Sequence, residues 1–147
     1  MKHVLVAAAL ALTAACTPGS FGIASSGGGP AGITGRIVTI DVDLTNDPDG
    51  YAPQDTMLAV GDGVRFHNSD GFSHTATSIA GTTFPAAYPF TSAALTQKSS
   101  KLSTGFSSGN LTAGSSSQTL LADAPGTYLF GCFYHYGSPM RATIDVH

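Results

Sequence analysis

The chain has 147 residues, a length that favours one domain. Its formal net charge is −3, with nine aspartates, no glutamate and no tryptophan. Six lysines and arginines are scattered along it, which argues against nucleic acid as a partner, because phosphate binding needs clustered positive charge.

The first stretch is MKHVLVAAALALTAAC. Lys2 gives a basic start, Val4 to Leu12 form an apolar run, and Ala14 and Ala15 lead to Cys16. This reads as an export signal over residues 1–15, too short to span a bilayer. Small residues before a cysteine resemble a bacterial lipoprotein cleavage box, although Thr13 stands where a larger aliphatic residue is usual. The resemblance implies that Cys16 is lipidated and anchors the protein to a membrane; ordinary cleavage nearby is the alternative. Without residues 1–15, five basic residues face nine aspartates, a net charge of −4. Residues 16–32 are rich in Gly, Ser and Pro and read as a flexible tether. The folded domain is predicted over residues 33–147.

From there the pattern is all-β. In RIVTIDVDL, Val38, Ile40, Val42 and Leu44 alternate with Ile37, Thr39 and Asp41. NDPDGYAP is a turn cluster. TMLAVGDGVRFHN predicts a short strand, a turn at Asp62 and Gly63, and a strand with Val64 and Phe66 on one face and Arg65 and His67 on the other, His67 solvated. SQTLLADAPGTYLFGC predicts two strands around DAPGT, with Tyr128 packing at a sandwich corner. MRATIDV is the last strand, with Ala142, Ile144 and Val146 inward. Short strands separated by Gly/Pro turns predict a Greek-key β-sandwich. Residues 78–105 fit less well and are expected to carry a long inserted loop, a short helix, or a flap over one end of the sandwich.

The chemistry concentrates in GCFYHYGSPM, where Cys132, His135 and Met140 fall at C-x2-H-x4-M. Alternate strand residues share a face, so Tyr128, Phe130 and Cys132 point inward together. A loop then returns His135 toward the sulfur, and the turn before the last strand brings Met140. His74, in NSDGFSHTAT, reaches the same end if the strand ending at Phe66 lies beside the Cys132 strand. Two imidazoles, a thiolate and a weak thioether are the donor set of a blue-copper site: thiolate and thioether suit Cu(I), and imidazole suits both oxidation states. Other readings stay open at this point. Cys132 could be a buried free thiol and Met140 core filler. Cys16 and Cys132 could form a disulfide, and zinc could take the cysteine and the histidines, leaving the methionine idle. His3 and His147 receive no role.

The two halves around these residues resemble the cupredoxin family, and plastocyanins most. YAPQDTMLAVGDGVRFHNSDGFSHT is similar to the segment bearing the first histidine, and FSSGNLTAGSSSQTLLADAPGTYLFGCFYHYGSPMRATIDV to the second half. The resemblance spans most of residues 37–146 except 78–105. It implies ligands His74, Cys132, His135 and Met140 for one copper ion. Three positions depart from the pattern. Thr75 follows the first histidine where Asn is common, and its hydroxyl is expected to substitute. Phe133 and Tyr134 stand where Ser or Thr and then Pro are usual. Gly131 stands where an exposed Tyr often provides a second electron port. Phe72, Tyr134, Tyr136 and Pro139 are expected to ring the ligand end, an apolar rim suited to brief docking.

The implied function is a one-electron carrier outside the cytoplasm, with copper cycling between Cu(I) and Cu(II) and His135 as the exit route. Expected partners are redox proteins and, through Cys16, a membrane. A monomer is expected. Copper delivery or storage is the nearest alternative, but the chain has no Met-rich or His-rich tract. An oxidase is disfavoured, since no His-x-His pair occurs. A metal-free binding module would need Cys132 only for packing.

Overall fold

The computed structural model describes residues 32–147. The export signal, Cys16 and nearly all of the tether lie outside the described residues. Ten strands form two sheets: β1 (Ile37–Val42), β2 (Tyr51–Ala52), β3 (Asp55–Leu58), β4 (Gly63–Asn68), β5 (Thr77–Ile79), β6 (Gln97–Lys98), β7 (Ser107–Ser108), β8 (Leu120–Leu121), β9 (Gly126–Gly131) and β10 (Arg141–Val146). One sheet has the order β2-β1-β4-β8 and the other β3-β10-β9-β5-β7-β6. The strands with clear two-residue alternation in the sequence are the long ones. In β4, Val64 and Phe66 are fully buried while Arg65 is exposed. In β10, Ala142, Ile144 and Val146 are buried and their neighbours are half-buried.

The core lies between the sheets. Ile40, Val42, Val64, Phe66 and Leu120 from the four-stranded sheet meet Leu58, Phe130, Ala142 and Ile144 from the six-stranded one. Aromatic rings bridge the gap: Phe130 stands 5.1 Å from Phe66 and 4.9 Å, edge-on, from Tyr51. Such pairs add to the stabilisation that comes from removing apolar area from water. Tyr128 closes a corner as expected, its hydroxyl donating to the Ala124 carbonyl at 2.8 Å.

One expectation changes. β4 does not lie beside the cysteine-bearing β9; it belongs to the other sheet. After β4 the chain crosses between sheets, and β5 pairs antiparallel with β9, placing Thr77 opposite Gly131. His74 thus arrives on the crossing rather than from a neighbouring strand. Residues 78–105 hold a short helical turn, one of the forms expected of them. They contain part of β5, a 3-10 turn at Ser92–Leu95 that is the only helical segment among the described residues, and β6 at the sheet edge. Phe84 and Phe90 from this insertion pack on Ile79, Leu129 and Tyr136, a small second core on the outer face of β9.

Candidate metal centre

β9 and β10 run antiparallel, with Gly131 opposite Arg141, so Cys132 and Met140 meet at the end of the ladder. The Cys132 N–H donates to the Met140 carbonyl at 3.1 Å. Between them the chain turns over His135, whose carbonyl accepts the N–H of Ser138 at 2.9 Å and of Met140 at 3.4 Å. His74 is held from another direction: its N–H donates to the Leu111 carbonyl, and the Leu111 N–H donates back to the His74 carbonyl.

These supports bring the predicted donors together. Cys132 Sγ lies 3.7 Å from His74 Nδ1 and 3.6 Å from His135 Nδ1, and the two Nδ1 atoms are 3.1 Å apart. Every edge of this triangle is shorter than two metal–donor bonds laid end to end, about 4 Å. A single ion can therefore touch all three. Cys132, His74 and Met140 are fully buried and His135 is partly exposed. The Met140 side chain packs against Gly50, where an added Cβ would come within 2.7 Å of Met140 Cγ and 3.1 Å of Sδ. Gly50 has φ +72°, a conformation other residues rarely adopt, so glycine is required there on two counts. The donor set, one soft thiol, two imidazoles and a buried thioether, fits copper.

Thr75 reaches both the sulfur and the loop after it. Its N–H points at Cys132 Sγ at 3.4 Å, and its hydroxyl oxygen accepts the Phe133 N–H at 2.9 Å. The sulfur and the peptide that follows it are thus fixed by one residue. Burial pushes the Cys132 thiol up, opposed by the N–H from Thr75. Burial, and then the neighbouring His74, hold His135 below the usual histidine value, so its lone pair is free for a metal at neutral pH. Both directions favour uncharged donors before a cation arrives.

The rim is partly as expected. Phe72 is 67% exposed and Tyr134 44% exposed. Phe72, Leu44, Thr45, Asp70, His74 and His135 line an open cleft of about 260 Å³. Tyr136, expected on the same rim, is buried instead: its hydroxyl donates to the Pro85 carbonyl, and Arg141 stacks on its ring. His67 is half-buried, with Nδ1 2.9 Å from Ser116 Oγ.

Four supporting residues were not singled out from the sequence. Gly50 is the first. The Tyr51 hydroxyl donates to the Thr75 carbonyl at 2.5 Å, and the Tyr88 hydroxyl from the insertion donates to the Phe133 carbonyl at 2.5 Å. Asp70 stands 3.0 Å from His74 Nε2. Burial pushes its carboxyl up, but hydrogen bonds from Thr45, His74 and backbone amides outweigh this and hold it at about 2. Only Asp70 left a sequence signal, a carboxylate four residues before a candidate ligand.

No protein-family model matches the sequence, and no curated protein does. Solved structures do match. Reduced auracyanin from the photosynthetic bacterium Roseiflexus castenholzii aligns with TM-score 0.51 and 21% identity, over 76% of this chain and 96% of that one. A purple cupredoxin from Nitrosopumilus maritimus aligns with TM-score 0.52 and 19% identity, over 75% and 99%. A mutant plastocyanin of fern aligns with TM-score 0.50 and 17% identity, over 75% and 100%. At these identities the likeness establishes the fold.

Proposed function

We propose that this chain, which has the cupredoxin fold, is a one-electron carrier built on a single copper ion held by His74, Cys132, His135 and Met140. The observation that carries the reading is the triangle of Cys132 Sγ and two histidine Nδ1 atoms, 3.1 to 3.7 Å on a side, beside a buried methionine. When bound, copper supplies a one-electron change between Cu(II) and Cu(I). The chain's own residues do the rest. Thr75 and the pairing of Cys132 with Met140 hold the sulfur where it is in either state. Burial of His74, Cys132 and Met140 excludes water. His135, the one partly exposed donor, offers the short route to a partner, and Phe72 and Tyr134 give that partner an apolar landing. No bond is made or broken, so the chain is read as a carrier rather than a catalyst.

Delivery or storage of copper would need donors that exchange readily with solvent, and three of these four are sealed. The exported, lipid-anchored placement through Cys16, with residues 16–32 as tether, completes the proposal. Cys16→Ser should release the protein from membranes in fractionation; unchanged membrane retention would sink the anchor.

The test of the site is the visible spectrum of the full chain with Cu(II). An intense thiolate-to-copper band that bleaches on reduction, and is absent from Cys132→Ser, is expected. Stoichiometric copper without the band would favour handling. A folded protein that binds no copper would overturn the assignment.

A further inference from the structure

Asp70 is 4% exposed, and its carboxylate is held from two loops. Oδ2 accepts the N–H of Leu44 at 3.0 Å and of Thr45 at 3.3 Å, and Oδ1 accepts the Thr45 hydroxyl at 2.8 Å and the Phe72 N–H at 3.4 Å. Its backbone is fixed too: the Asp70 N–H donates to Asn68 Oδ1, and the Asn68 amide donates to the carbonyls of Phe72 and Leu111. Leu111 is the residue that holds the His74 backbone. Asn68, Asp70, Phe72 and His74 are thus tied to one another and to Leu111 along the link that leaves β4. At its end, Asp70 Oδ2 lies 3.0 Å from His74 Nε2. His135 pairs with no carboxylate among the described residues.

A carboxylate at this distance accepts, so Nε2 carries the proton and Nδ1 keeps the lone pair. Nδ1 is the atom that faces Cys132 and His135. A histidine whose second nitrogen donates to a carboxylate is also a more basic ligand. We propose that Asp70 is a positioning residue for His74: it locks the imidazole in the Nε2–H tautomer with Nδ1 aimed into the donor triangle, and its charge favours the more positive state of the ion held there. The second half rests on the copper reading; the first does not.

The experiment separates the halves. Long-range nitrogen–proton NMR of the metal-free full chain should show the Nε2–H tautomer for His74. Asp70→Asn, which keeps an acceptor at the same place, should retain it, and Asp70→Ala should lose it. A wild-type Nδ1–H tautomer, or no change in a folded Asp70→Ala, would overturn the positioning claim; if Asp70→Ala does not fold, the wild-type tautomer alone decides it. With copper bound, Asp70→Asn should raise the reduction potential, and copper binding should weaken about 10- to 100-fold in Asp70→Ala or, failing that, Asp70→Leu. A potential unchanged in Asp70→Asn would overturn the charge effect. The predicted tautomers together with no copper binding at all would leave Asp70's role standing and remove the carrier reading.

Discussion

The amide of Phe133 donates to the hydroxyl of Thr75 at 2.9 Å, so a residue 58 positions earlier fixes the peptide that follows Cys132. Thr75→Val keeps the shape and removes the acceptor. A part-buried N–H without a partner costs about 1–3 kcal/mol. Denaturant unfolding of the metal-free protein should show that loss, and Thr75→Ser should recover most of it. Equal stability of the valine variant would mean that the loop is held elsewhere.

Gly50→Ala strains the structure twice, through a backbone at φ +72° and a Cβ at 2.7 Å from Met140 Cγ. The expected cost is about 2 kcal/mol or more. Because the displaced group is the methionine side chain, the visible spectrum of the copper form should change with it. Lost stability with an unaltered spectrum would separate Met140 from the metal.

Much of this was legible in the sequence, and the reason is chemical. The donors lie within nine residues of one another except His74, and their identities constrain what they do. The long strands were legible because Val64, Phe66, Ala142, Ile144 and Val146 alternate with polar residues. β2, β5, β6 and β7 have two or three residues each, too short for a period to register. The sheet to which β4 belongs was not legible, since alternation gives a strand two faces but no neighbour. Tyr136 was placed on the rim because it adjoins His135; what buries it is Pro85, Phe84 and Phe90, which arrive from an insertion with no pattern of its own. Tyr51 and Tyr88 act through backbone carbonyls, which sequence does not display.

Tyr51→Phe and Phe130→Ala should differ sharply. The first keeps the ring against Phe130 and Phe66 and loses one hydroxyl bond to the Thr75 carbonyl, worth about 1 kcal/mol. The second empties the centre of the sandwich and should cost about 3–5 kcal/mol. Chemical denaturation of both variants measures the contrast; similar losses would mean that the hydroxyl, not the ring, secures Tyr51.

Asp62 links the start of the domain to the turn before β4, accepting from the amides of Ala59 and Arg36 and pairing with the Arg36 guanidinium. The Ala59 amide first, and Arg36 after it, hold its carboxyl below 3.8. A folded value below the unfolded one means that its charged form stabilises the fold fully above about 3.8 and loses this as pH falls through the folded value. Thermal midpoints of wild type and Asp62→Asn should therefore differ at about pH 6 and converge once the pH has fallen below the folded value. A gap that persists in acid would assign the effect to shape rather than charge.

Three of the four strands that end the two sheets, β2, β8 and β6, have two residues each, and the fourth, β3, has four. An outer strand with many free amides and carbonyls is a template on which another chain can add itself. Two residues offer almost none. The long strands β1, β4, β9 and β10 are all interior in the strand order, with β2 covering β1 at Asp41 and Val42 and β8 covering β4 at Gly63 and Val64. The carrier proposed above, docking briefly and letting go, would gain from this arrangement, because the strands that end the sheets give other chains little ladder to extend. On that proposal, crowding many copies together should leave them separate, with encounters directed to the end where His135 and Phe72 meet the solvent.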